Sequence, residues 1–120
     1  MDIFRFLEWQ VYKDAKKLFR LIYDIVSKLP KEIRYDLGGQ IIRASSSVIF
    51  NIAEGSGKKT DKELNRYFDI ALGSLNETVA GADVLLDNGF TTKEQFYVVI
   101  QQSASIAKQL GGFKKKLLLK

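Results

Sequence analysis

The residues best suited to chemistry in this chain sit on two apolar, small-residue-rich stretches, 40–55 and 67–77. The first carries Gln40, Arg43, Ser47, Asn51 and Glu54. The second carries Ser74 and Glu77, with Arg66 just ahead of it. Polar groups so close to an apolar face need partners wherever they leave water. The chemistry open to them is narrow. The chain has no His and no Cys, which removes the commonest general base, the commonest metal ligand and any thiolate nucleophile. Paired carboxylates without such a base are poor evidence for catalysis. A di-metal carboxylate bundle would need Glu-x-x-His on two helices. No catalytic residue, metal site or cofactor is therefore expected. The favoured reading is a buried or half-buried ion-pair network that fixes the register of two helices.

The elements that position these groups are helical. Apolar residues Val11, Ala15, Leu18, Phe19, Ile22, Ile25 and Val26 recur at steps of three and four, predicting a helix over about 6–28. Pro30, the only proline, ends it and suits the first turn of a second helix over about 31–54. Gly55-Ser56-Gly57 is expected to stop that helix through a left-handed cap. Thr60 with Glu63 reads as a capping box opening a third helix over 61–87, closed by Asn88-Gly89. Thr91 with Glu94 reads as a second box, opening a helix over 93–118 in which Gly111-Gly112 is a place to fray or bend. No stretch alternates with period two, so no strand is expected. The whole of 1–120 reads as one all-α domain, an up-down-up-down four-helix bundle.

At about 100° per residue, Gln40, Arg43, Ser47, Asn51 and Glu54 fall on one edge of the second helix, beside its core stripe. Arg66, Ser74 and Glu77 edge the third. The pairs expected to meet are Arg43 with Glu77 and Arg66 with Glu54, because the arginine fork matches a carboxylate. Ile42, Ile49 and Phe50 fall away from the core stripe, and such a patch on a bundle marks an interface. Gly39, Gly55, Gly73 and Gly81 thin the helices where backbones could approach closely. Self-association of the chain is the expectation.

Charge is unevenly placed. The net charge is +5, yet residues 1–90 hold thirteen basic and thirteen acidic side chains. The surplus lies in Lys93, Lys108, Lys114, Lys115, Lys116 and Lys120. With Lys58, Lys59 and Lys62 as a second cluster, these are the candidate contacts for RNA or DNA phosphates, Lys93 apart. No apolar run approaches the ~20 residues of a membrane span, and nothing reads as a secretory leader. A cytoplasmic location and no membrane partner are expected.

The residues Gln40-Ile41-x-Arg43-Ala44-x-x-Ser47-Val48-x-x-Asn51-Ile52-Ala53-Glu54-Gly55 resemble the signature of the 23S rRNA intervening-sequence proteins. Phe68-x-x-Ala71-x-Gly73-Ser74-x-x-Glu77 is similar to that family's second signature. The first helix fits through Val11, Ala15, Leu18 and Ile22, with Tyr12 where the family often has Trp and with Trp9 three residues earlier. The resemblance covers about 6–115. It implies a left-handed bundle and a ring-shaped homopentamer. Some members are encoded within insertions in large-subunit rRNA genes. A related branch, accessory proteins of diversity-generating retroelements, binds nucleic acid and a reverse transcriptase through a basic surface. The motif residues carry over as structural positions only. Two functions follow as expectations: a non-enzymatic oligomeric accessory protein that binds RNA or DNA, or a protein-interaction scaffold that binds neither.

Overall fold

A computed structural model describes residues 2–118. Four long helices carry the fold, and no strand occurs among the described residues. A 3-10 segment, Asp2–Glu8, is interrupted at Phe4 (φ −115°, ψ 45°). Trp9 is extended (φ −72°, ψ 132°), and only then does α1 begin, spanning Gln10–Ser27. The first helix therefore starts later than its apolar spacing suggests. The break turns Trp9 onto Phe68 and Phe113, with ring centroids 6.3 and 5.0 Å away.

The second helix, α2, is compound. It opens with one α-turn, Lys31–Ile33, passes through a π-helical stretch, Arg34–Gly38, and continues as the α-helical Gly39–Ser56. The π turn departs from the regular helix expected here. It accompanies a close approach to α1: a Cβ on Gly38 would stand 2.8 Å from Val26 Cγ1. The expected left-handed stop is also absent. Gly57 caps α2 at φ −91°, and Gly55 instead lies inside the helix. A Cβ on Gly55 would stand 3.1 Å from Tyr67 Cβ, so that glycine serves packing rather than chain reversal.

The third helix, α3, spans Asp61–Asp87 and opens on Thr60, whose hydroxyl oxygen accepts from the Glu63 amide at 3.2 Å. Gly89 closes it at φ 76°, the one positive φ among the described residues. That value falls in the left-handed region that glycine adopts without a steric penalty. The last helix, α4, spans Lys93–Leu118. Its capping box is one residue later than the sequence suggests. Thr92 Oγ1 accepts from the Gln95 amide at 3.1 Å, and Gln95 Oε1 accepts from the Thr92 amide at 3.0 Å. Gln95, not Glu94, stands at the position the reciprocal bond requires. The helix runs unbroken through Gly111 and Gly112, and Phe113 holds its far end against Trp9 and Phe68.

Each helix packs on its neighbours in a closed cycle: α1 on α2, α2 on α3, α3 on α4, and α4 on α1. The α2–α3 seam is the most extensive. The core along the axis holds Leu18, Ile22, Ile41, Val48, Ile52, Phe68, Leu85, Val99, Ile106 and Leu110, all essentially inaccessible. Arg5 Nη2 donates to the Ser56 carbonyl at 3.1 Å. With the Trp9, Phe68 and Phe113 contacts, this gathers the start of α1, the end of α2, the start of α3 and the end of α4 at one end of the bundle. The helices therefore alternate in direction. The opposite, distal end holds the α1–α2 and α3–α4 turns.

Candidate functional site

The α2–α3 seam owes its closeness to missing side chains. A Cβ on Gly81 would stand 2.5 Å from Ile41 Cγ1. Along this seam the polar edge of α2 does find partners on α3. Ser47 and Ser74 share a 2.9 Å hydroxyl contact. Asn51 Nδ2 donates to the Ser47 carbonyl at 2.8 Å and to its hydroxyl at 3.0 Å. Gln40 Nε2 donates to Glu77 Oε2 at 3.2 Å, and Thr78, fully buried, donates to the Ser74 carbonyl at 2.9 Å. These bonds satisfy hydroxyls and amides next to the core and hold the two helices in one register.

The expected ion pairs do not form. Arg43 is exposed and makes no ion pair among the described residues; Glu77 bonds Gln40 in its place. Glu54 pairs with Lys58, one turn on, at 3.7 Å. Arg66 lies over the neighbouring Tyr67 ring at 5.2 Å. The reason is angular. Arg43 and Glu54 project further out on α2 than Ser47 and Asn51, at about 100° per residue, and both are exposed. The seam is a hydrogen-bond ladder without ion pairs, in which the Glu77 carboxylate accepts from the Gln40 amide.

The three residues that the helical wheel points outward divide in the same way. Ile49 is 9% exposed and belongs to the bundle's own core, so it is not an outward position. Ile42 is half-buried against that core, and Phe50 is 68% exposed. Gly73 faces open space rather than a neighbouring helix, and Gly39 faces the Arg43 side chain of its own helix.

The lysines come together at the bundle end that holds both termini of the described chain. Lys58 is half-buried, paired with Glu54 and 5.0 Å from the centre of the Tyr67 ring. Lys59 and Lys62 are exposed on the α2–α3 connection and the first turn of α3. Across the α3–α4 seam, Lys114 pairs with Asp69, and Lys115 is exposed beside it. Lys108 is exposed further back along α4. Lys120 and the side chain of Lys116 lie outside the described residues. Lysine clustering alone overlooks two cations at this end, Arg5 and Arg66, and the aromatic face of Tyr67 that Lys58 and Arg66 share. Arg66 and Tyr67 are adjacent in the sequence, but only the α2–α3 packing brings Lys58 to the same ring.

Among the described residues, no group of three or more His, Cys, Asp and Glu side chains could hold a metal. No helix among them is long and apolar enough to cross a membrane.

The fold and these surfaces define an all-helical bundle with a hydrogen-bonded central seam and a basic end. A family model for the 23S rRNA-intervening sequence protein matches residues 8–112, and the chain belongs to that family. A solved structure from Bacteroides thetaiotaomicron, described as a protein with unknown function from the S23 ribosomal protein family, is similar in fold. Its TM-score is 0.80 at 23% identity, over 88% of this chain and 98% of that one. No curated protein matches the chain.

Proposed function

We propose that the protein is a non-enzymatic, oligomeric accessory protein that binds RNA or DNA phosphates through its basic end. The observation that carries this reading is a juxtaposition. Lysines about fifty residues apart in sequence, Lys58, Lys59 and Lys62 on one side and Lys114 and Lys115 on the other, share one end of the bundle. Lys59, Lys62 and Lys115 have no ion-pair partner among the described residues, so they reach solvent uncompensated. Phosphate contacts of this kind position a protein without reading sequence. A homo-oligomer, a pentamer as the resemblance implies, would repeat the patch and convert weak contacts into multivalent ones.

The test is a titration of structured RNA and duplex DNA across a salt series. Affinity is expected to fall steeply with salt and to depend little on sequence. Changing Lys59, Lys62, Lys114 and Lys115 to Gln should flatten that dependence, by about 0.9 in log–log slope for each duplex phosphate that goes without its lysine. Absence of binding to either nucleic acid at low salt would favour the scaffold reading. The ion pairs of Lys58 with Glu54 and Lys114 with Asp69, which already neutralise part of the patch, support that alternative.

A further inference from the structure

Two arginines, Arg34 and Arg43, lack any side-chain partner among the described residues, and both line one groove between α1 and α2 at the distal end. The groove's other walls are Tyr23, Val26, Tyr35 and Ile42. Tyr23 is 51% exposed and Tyr35 73%. On a regular helix Arg34 and Arg43 would project to opposite sides, nine residues at about 100° each. The π-helical Arg34–Gly38 takes up an extra residue per turn. That reduced rotation brings Arg34 and Tyr35 round to the groove that Arg43 borders.

The complement lies on the opposite side of the same molecule. Asp83, Asp87 and Glu94 are exposed and make no ion pair among the described residues. Asp83 and Asp87 are one turn apart and so share a face of α3. Asp87 follows Asp69 by about five whole turns, which places it on the flank where Asp69 meets Lys114 of α4. Tyr97, 62% exposed near the start of α4, and Phe90 in the α3–α4 turn add exposed apolar area at the same end of the bundle. Because α1, α2, α3 and α4 form a closed cycle, the α1–α2 groove and the α3–α4 face look in opposite directions. They also share a height along the axis. Ile41 seats on Gly81, and because α2 and α3 run in opposite directions Asp83 and Asp87 step from that level toward the distal end, within the span of residues 34–43 of α2.

We infer that a second copy of this chain docks its α3–α4 face, through Asp83, Asp87 and Tyr97, into the Arg34–Arg43 groove. The contact is head-to-tail. Exposed Glu32 and Asp36 on α2 and exposed Lys93 on α4 reduce the contrast without reversing it. A surface with net positive charge on one side and net negative charge on the other cannot satisfy itself about a twofold axis. It is satisfied by side-by-side neighbours that close into a ring. Pairing charges otherwise left alone on an apolar surface gives the contact its orientation. This inference rests on the oligomeric part of the proposed function.

The experiment measures the mass of the full chain in solution by light scattering. R34E/R43E and D83R/D87R should each run as a monomer of unchanged helix content by circular dichroism. The fourfold variant, with the charges exchanged, should regain the wild-type mass. A second readout uses the absence of cysteine. Carrying Y35C and Y97C in one chain should give a ladder of disulfide-linked copies on oxidation, whereas either alone should give none. A wild-type oligomer that both charge-reversed variants retain, or that yields no ladder, would overturn this interface and leave self-association standing. Cross-linking by Y35C alone or Y97C alone would overturn the head-to-tail arrangement. A wild-type monomer would overturn the oligomeric reading itself.

Discussion

At the scale of single residues, the two glycines of α3 that look alike in sequence have opposite roles. Gly81 presses its bare Cα against Ile41, and a Cβ there would stand 2.5 Å from Ile41 Cγ1. Gly81→Ala should lower stability by about 1–3 kcal/mol, because a close-packed seam must shift to take the methyl group. Gly73 has nothing within 4 Å of where a Cβ would stand. Gly73→Ala should raise stability by about 0.4–1 kcal/mol, since alanine restricts the unfolded chain and favours the helix. Denaturant midpoints for the two variants check both signs. Arg43 belongs to the same scale. Exposed and unpaired within the protomer, it should cost no more than about 0.5 kcal/mol on Arg43→Ala when the protein is measured dissociated. A larger destabilisation under those conditions would mean that the guanidinium has a partner inside the bundle.

At the scale of elements, α4 is set in place at both ends by different devices. Its start is held by the reciprocal bonds of Thr92 and Gln95. Thr92→Ala should cost about 1 kcal/mol, the usual effect of removing a helix cap. Glu94→Gln should cost almost nothing, because Glu94 is outside the box. Thermal unfolding of the pair distinguishes this assignment from one centred on Thr91. The far end of α4 depends on Phe113, whose ring lies 5.2 Å from Phe68 and 5.0 Å from Trp9. That anchor lets the helix continue through Gly111 and Gly112, despite their cost of about 1 kcal/mol each relative to alanine. The π turn of α2 is the other element-level device. It reconciles the Gly38 approach to Val26 with a redirected Arg34.

At the scale of the molecule, alternating helix directions decide which charges meet. The excess positive charge belongs to residues 91–120, and among the described residues an antiparallel α4 brings Lys114 and Lys115 of that surplus to the end that holds the α2–α3 connection. The distal end carries the unpaired Arg34 and Arg43 on its α1–α2 side, with Glu32 and Asp36 near them, and Asp83, Asp87 and Glu94 on its α3–α4 side, with Lys93 beside Glu94. On the proposed function, assembly and nucleic-acid binding are coupled. R34E/R43E, expected to dissociate the proposed assembly, leaves every lysine of the basic end untouched. It should nevertheless bind structured RNA about 10²-fold more weakly at low salt, because patches once linked in one particle act singly. Equal affinity for the ring and its dissociated variant would show that one protomer's patch suffices.

The sequence by itself determined the all-helical class, the limits of α3 and α4, and most of the core, because helical periodicity and capping are local and repeat over many residues. It also identified the residues of the α2–α3 seam, Gln40, Ser47, Asn51, Ser74 and Glu77. The partners were decided only by tertiary structure. Arg43 with Glu77 is a sound pairing by chemistry but does not form, because Arg43 projects outward from the seam and the Gln40 amide takes the Glu77 carboxylate. Ile49 looks outward on a wheel centred on Ile41, yet the packed bundle covers it. The groove at Arg34 and Arg43 was invisible because a wheel assumes a constant turn, and Arg34–Gly38 does not keep one. Register and helix spacing are set by contacts between residues distant in the chain, and no local pattern encodes them.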